Sequence, residues 1–180
     1  METIALFGGS FDPPHIGHKA VIESLLELKE IDRVVVMPTF LNPFKSLSHA
    51  PSELRLKWLK DIFFNKKNVL VDDYEVSLGR KVATISTVTH LLKKYKKIYL
   101  VIGADNLETL REWTRYHELK DLVTFIVATR DDIEIPNNFM TVLVKEEISS
   151  SVLRNVMDKT KLPKECANEI AQHYKEKNER

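Results

Sequence analysis

The chain has 180 residues, 43% of them hydrophobic, and its 27 basic and 26 acidic side chains nearly cancel. That length buries one sizeable core, and the balanced charge gives no pull toward nucleic acid or a membrane surface. The lone cysteine, Cys166, excludes an internal disulfide, and no apolar run approaches a membrane span. Residues 1–180 are therefore expected to form a single domain, with 149–180 as a C-terminal helical part. The N-terminus is too short and too soon structured for a signal peptide, so the expected compartment is the cytoplasm.

The first element is a buried strand, Ile4-Ala5-Leu6-Phe7, followed at once by Gly8-Gly9-Ser10-Phe11-Asp12-Pro13-Pro14-His15-Ile16-Gly17-His18. Two glycines let the backbone turn sharply and approach a ligand, and a helix begins behind them. A strand, a glycine turn and a helix N-terminus together present free N–H groups to an anion. His15 and His18, three apart on the first turn, project toward the same side. As a metal site this pair lacks a third ligand of matching spacing. The turn also lacks the lysine of a P-loop and the third glycine of G-x-G-x-x-G.

Ile16, Ala20, Val21, Leu25 and Leu28 keep helical spacing for about three turns. Arg33 to Met37, with its β-branched run Val34-Val35-Val36, reads as a parallel strand covered on both faces. Pro38 ends it, and the aperiodic segment through Pro43, Phe44, Lys45 and Pro51 is a loop on the ligand side. A helix starts near Pro51 and Ser52, with Leu56, Leu59, Ile62, Phe63 and Phe64 on its apolar side. Val69 to Val71 is a short strand, and the polar Tyr74 to Lys81 segment is expected to be loop.

Ile85, Val88, Leu92 and Tyr95 mark a further helix, and the lysines at 93, 94, 96 and 97 read as its charged, solvated end. Ile98 to Ile102 is a strand running into Gly103-Ala104-Asp105. Leu107, Leu110 and Trp113 continue with helical spacing, and Thr124 to Ala128 and Thr141 to Val144 are two more strands. Ser149, Ser150 and Ser151 should cap a helix, and Ala167, Ile170, Ala171 and Tyr174 mark the last one. Strands alternating with helices argue for an α/β, Rossmann-like, doubly wound and mostly parallel sheet with helices on both faces.

In such a sheet the glycine turn, the Pro38 to Lys45 loop, Gly103 to Asp105 and the serine cluster all follow strands and open onto one crevice. They supply helix N-terminal amides, two imidazoles, Lys45, Arg154, hydroxyls and a carboxylate. That inventory suits a nucleoside triphosphate, because no serine, cysteine or carboxylate pair is set up as a covalent nucleophile. Donors aimed at nonbridging oxygens would stabilise charge moving toward pyrophosphate.

The string G-G-S-F-D-P-P-H-I-G-H, with I-S-S-S-V-L-R at residues 148–154, resembles the nucleotidyltransferase superfamily marked by H-x-G-H and I-S-S-x-x-x-R motifs. Ile102 to Leu107, then Leu110, Trp113, Glu118-Leu119 and Leu162-Pro163, narrow the resemblance to bacterial nicotinate-nucleotide adenylyltransferases, essentially end to end. The resemblance implies transfer of an adenylyl group from ATP to nicotinate mononucleotide (NaMN), with Mg²⁺ on the triphosphate, no protein metal site, and ATP and NaMN as the partners. A homo-oligomer is left open.

By position, the resemblance assigns catalysis to His15, His18, Lys45 and Arg154. It assigns ATP binding to Gly8, Gly9, Ser10, Phe11, His15, His18, Gly103, Asp105, Ser149, Ser150 and Arg154. NaMN falls to Ser10, Lys45, Ile85, Ser86, Thr87, Trp113 and Thr114, with Trp113 stacked on the pyridine ring. The family's S-Y-T-x-[acid]-T string is matched to Thr84-Ile85-Ser86-Thr87-Val88-Thr89, where isoleucine replaces the tyrosine and valine the acid. Phe44 stands where a histidine is common. The alternatives are a preference for nicotinamide mononucleotide (NMN) and a nucleotide-binding regulatory module without turnover.

Overall fold

The computed structural model describes residues 1–129, 134–146 and 148–179. Among these residues six strands, β1 (Thr3–Gly9), β2 (Arg33–Pro38), β3 (Val69–Val71), β4 (Lys97–Gly103), β5 (Thr124–Thr129) and β6 (Met140–Leu143), form one sheet. All neighbours pair parallel, in the order β3-β2-β1-β4-β5-β6. Among the described residues seven α-helices connect or flank them: α1 (Ile16–Leu26), α2 (Ser52–Phe63), α3 (Tyr74–Leu78), α4 (Thr84–Leu91), α5 (Tyr116–Leu122), α6 (Ser150–Asn155) and α7 (Ala167–Asn178). This is the doubly wound Rossmann-like arrangement that the alternation of elements implies. Among the described residues no helix is long and apolar enough to cross a membrane.

The period-two alternation of each strand divides the interior into two cores, one on each face of the sheet. Ala5, Phe7, Val34, Val36 and Val101 pack on the side of α1, α2 and α7. Ile4, Leu6, Val35, Met37 and Leu100 pack on the side of α4 and α5. Leu6 sits opposite Val35 in β2 and Leu100 in β4, so one row of side chains crosses the sheet without a polar break. Burial on both faces explains why these strands are nearly continuous apolar runs.

The structure corrects four expectations. Residues 74–78 form helix α3 instead of loop, ended by Gly79 at φ +62°. A five-residue helix is too short to show a stripe, and one of its two buried residues is the polar Glu75. The stretch after β4 is two 3-10 turns, Ala104–Asn106 and Leu110–Glu112. The α-helix begins only beyond Arg115, whose left-handed φ of +56° separates Trp113 from α5. The inward stripe of α2 runs through Arg55, Trp58, Leu59, Ile62 and Phe63, whereas Leu56 is half-buried and Phe64 is 84% exposed just past the helix. Finally, α4 stops at Leu91, short of Tyr95. The lysines that follow lie at the amino end of β4, across the sheet from the strand ends that carry the crevice.

The C-terminal helix α7 lays Ile170, Ala171 and Tyr174 against the α2 face, with the Trp58 and Tyr174 rings 6.1 Å apart. Its consequence for the site is direct, because Tyr174 reaches through to Asp12 in the turn after β1. Gly8 and Gly9, expected to make that turn, are the last residues of the strand, and the left-handed backbone falls on Phe11.

Candidate active site

The order of strands reverses between β1 and β4, and at such a point the connections leave toward opposite faces and open a crevice at the carboxyl ends. Two hollows meet there, sharing Gly8, Gly103 and Asn106. The larger, about 490 Å³, runs past α1 to the start of α6. The smaller, about 200 Å³, runs toward the 39–44 loop, the start of α4, and Trp113.

His15 is the N-cap of α1, and the two histidines cap each other. The His18 amide donates to His15 Nδ1 at 3.4 Å, and the His15 amide donates to His18 Nδ1 at 3.1 Å. The reciprocal bonds stack the rings, with centroids 3.7 Å apart and 21° between planes. Because both Nδ1 atoms accept, a neutral ring carries its hydrogen on Nε2, the edge away from the cap. Burial, and next the adjoining His15, push His18 well below its usual range, so it is neutral in the free protein at neutral pH. The Phe11 ring, at a residue with φ +47°, backs His18 edge-on at 4.8 Å.

Two glycines stand close to site side chains. A Cβ on Gly17 would come to 3.0 Å from the His15 ring and from Ile148 Cγ2, so α1 passes these side chains with no room to spare. A Cβ on Gly103 would sit 2.4 Å from Asp105 Oδ1, so the Asp105 side chain would have to move aside.

A buried polar scaffold underlies the turn. Arg55 is 0% exposed and donates to four carbonyls: Ala50 at 3.0 Å, Thr39 at 2.8 Å, Phe40 at 2.9 Å and Ser10. Asp12 accepts from the His49 amide at 2.6 Å, the Ala50 amide at 2.9 Å and the Tyr174 hydroxyl. Burial pushes the Asp12 carboxyl up, but these bonds and the Arg55 charge together hold it below its usual range. Arg154 donates to the Asp12 carbonyl, and its other nitrogen meets Ser151 Oγ at 3.1 Å. Ser150 Oγ donates to the Pro13 carbonyl at 2.9 Å, while Ser149 caps α6 by accepting from Val152 N. The serine motif is thus tied directly to the histidine turn.

Of the residues proposed from sequence for ATP, Gly8, His15 and His18 line the larger hollow on one side. Gly103, Asp105, Ser149 and Ser150 line it on the other. Gly9 lines the smaller hollow, whereas Ser10, Phe11 and Arg154 line neither. Lys45 is exposed on the loop, its Nζ 3.4 Å from Ser10 Oγ.

On the other side Trp113 and Thr114 line the smaller hollow, with Phe44 at its mouth. Ile85, Ser86 and Thr87 do not line it. Ile85 and Val88 are core residues, at 1% and 0% exposure, Ser86 faces solvent, and Thr87 donates to Glu75 Oε1 at 2.6 Å. The wall is made instead by Val82 and Ala83, just ahead of the matched string, and by Thr84, its first residue. The two apparent departures at Ile85 and Val88 are therefore core packing.

Sequence reasoning missed Arg55, Asp12, Tyr174 and Glu75. Arg55 did carry a signal, since it stands three and four residues before Trp58 and Leu59 on the buried stripe of α2. Nothing local in the sequence joins Asp12 to Tyr174 or Glu75 to Thr87.

The chain matches the model of the cytidylyltransferase-like family over residues 6–156. Sequence relatives named "Probable nicotinate-nucleotide adenylyltransferase" include one from Sulfurimonas denitrificans, 64% identical over 98% of this chain and 97% of its own. Another, from Nitratiruptor sp., is 47% identical over 96% and 98%. A solved nicotinic acid mononucleotide adenylyltransferase of Plasmodium falciparum, complexed with NaAD, superposes with a TM-score of 0.75 at 21% identity, over 99% of this chain and 97% of that one. The fold, the mutually capped histidines at the switch point and these full-length matches agree: the chain belongs to the cytidylyltransferase-like family and, within it, to the nicotinate-nucleotide adenylyltransferases.

Proposed function

We propose that the chain transfers the adenylyl group of ATP to NaMN, giving nicotinate adenine dinucleotide and pyrophosphate for NAD biosynthesis, and that all 180 residues serve this one activity in the cytoplasm. The observation that carries the reading is the pair of hollows meeting at Gly8 and Gly103, one flanked by stacked imidazoles and the other by an aromatic ring. ATP occupies the larger hollow and the pyridine nucleotide the smaller, so the two reacting phosphates meet above Gly8.

A 5′-phosphate oxygen of NaMN attacks the α-phosphorus of ATP in line, and the bond to the β-bridging oxygen breaks. The nucleophile is already an anion, so no general base is needed. The protein orients the two phosphates and stabilises charge that moves toward pyrophosphate. The Nε2–H edges of His15 and His18 face the α-phosphate oxygens, and bound phosphate favours their protonation, opposite to the pull of burial. Lys45 reaches in from the loop beside Ser10, Arg154 and the Ser149-Ser150 pair receive pyrophosphate, and Asp105 accepts from the ribose.

Among the described residues no group of three or more His, Cys, Asp or Glu side chains could hold a metal ion. Among the described residues Asp105 and Glu146 bring carboxylates to the larger hollow. Mg²⁺ entering with the ATP phosphates would supply positive charge there.

The decisive assay is pyrophosphate release with ATP or CTP, each paired with NaMN, NMN or phosphopantetheine. Release is expected with ATP plus NaMN, and its absence rules the reading out. Trp113 supports the ring assignment, since it lines the smaller hollow and its Nε1 is buried without a protein partner. Stacking on an aromatic side chain is worth ~1–3 kcal/mol, so Trp113→Ala should raise the KM for NaMN about tenfold and spare that for ATP. Equal effects on both substrates would remove Trp113 from the ring pocket.

A further inference from the structure

Glu75 lines the smaller hollow and is only 6% exposed. It is the one charged residue type lining that hollow among the described residues, and no lysine, arginine or histidine joins it there. Its side chain accepts a hydrogen bond from Thr87 Oγ1 at 2.6 Å, from the first turns of α4. A nicotinate carboxylate entering this space meets backbone amides, hydroxyls and Glu75, with no cation to offset two negative charges.

The charged groups around Glu75 are engaged elsewhere. On its own segment Asp73 pairs with Lys60 of α2 at 3.9 Å, and Asp72 accepts from the Tyr74 amide. In the following loop Lys81 donates to the Pro43 carbonyl, and Arg80 to that of Lys81. From α4, His90 stacks on Tyr74. Burial raises the Glu75 carboxyl to about 7, opposed only by the Thr87 bond. It therefore holds its proton through the weakly acidic range and releases it near neutrality.

We propose that Glu75 is a specificity-determining residue for the pyridine substituent: as a neutral acid it donates a hydrogen bond to the nicotinate carboxylate, and once ionised it turns the hollow toward the uncharged amide. The proposal rests on NaMN occupying the smaller hollow. With one oxygen held by Thr87, the protonated group offers its hydroxyl to the ligand. The ionised group offers only acceptors, which suit the N–H of an amide and repel a second carboxylate. Nicotinate binding is thereby coupled to retention of one proton.

The test is the ratio of the KM for NaMN to that for NMN between pH 6 and 8.5, in the wild type and in Glu75→Gln. The 5′-phosphate and ATP are common to both substrates, so their titrations cancel. The wild-type ratio is expected to rise above neutrality by up to about tenfold per pH unit, the signature of a single proton. In Glu75→Gln, which is neutral at every pH, the ratio should stay flat. A ratio that is flat in the wild type, or that rises equally in the variant, overturns the role of Glu75 while leaving the activity standing. No pyrophosphate from either mononucleotide overturns the activity and this role with it. Should the variant not fold, calorimetry on the wild type at pH 7.5 in buffers of different ionisation enthalpy decides. NaMN should take up more protons than NMN, and equal uptake refutes the coupling.

Discussion

His18→Ala is expected to lower kcat about 10²–10³-fold, the cost of removing one preorganised donor from a transition state, while the Kd for ATP changes only a few fold. The geometry dictates the control. His18 Nδ1 also accepts from the His15 amide, so alanine deletes part of the α1 cap as well, worth roughly 1 kcal/mol. His18→Asn restores an acceptor at that position but has nothing in place of Nε2. It should regain the stability and remain as slow as alanine, and recovery of kcat in Asn would move the function of His18 from the phosphate to the cap.

The same residue gives a pH signature in the folded protein. His18 titrates below its ordinary value of 6.5 when buried beside His15, so the unfolded chain takes the proton first as pH falls. Its contribution to stability is full above about 6.5 and is lost as pH drops below it. Urea midpoints measured from pH 7.5 to 5 should decline in the wild type and decline less in His18→Asn.

How much of this was legible in the sequence depends on whether the determining contact is local. Val34-Val35-Val36 had to be an interior parallel strand, and the H-x-G-H spacing already put two imidazoles on one turn. Ser149 was recognisable as a cap. What failed was periodicity in short or polar pieces. Helix α3 has two inward residues, one of them Glu75, and no stripe to read. The span from Leu107 to Trp113 has helical spacing but winds only into a short 3-10 turn, and Arg115, whose left-handed φ has no marker such as glycine, separates it from α5. The family string, matched from Thr84 to Thr89, points to Ile85, Ser86 and Thr87, none of which lines the smaller hollow. Only three-dimensional packing shows that Ile85 and Val88 point to the core while Ala83 and Thr84 face the hollow. Long-range polar pairs such as Asp12 with Tyr174 leave no trace in either sequence segment.

Arg55→Met should be the most destabilising single change in the site, by about 3–5 kcal/mol. Replacing a buried charge by an apolar side chain of similar length is harmless only when its partners go too, and here they cannot. The carbonyls of Ser10, Thr39, Phe40 and Ala50 belong to the backbone, and Asp12 would remain ionised without its positive neighbour. For a chain of this size each kcal/mol moves Tm by roughly 2–4 °C, so a fall on the order of 10 °C is expected. The loss should also be specific in kind. Arg55 joins the turn that carries the histidines to the loop that carries Lys45, so at temperatures where the variant is still folded kcat should fall and the KM values rise together. Arg55→Lys keeps the charge but replaces a planar fork by three donors on one nitrogen, which cannot span four carbonyls. It should recover part of the Tm and little of kcat. A lysine variant with wild-type kcat would show that the charge on Asp12, and not the spacing of the two loops, is what Arg55 maintains.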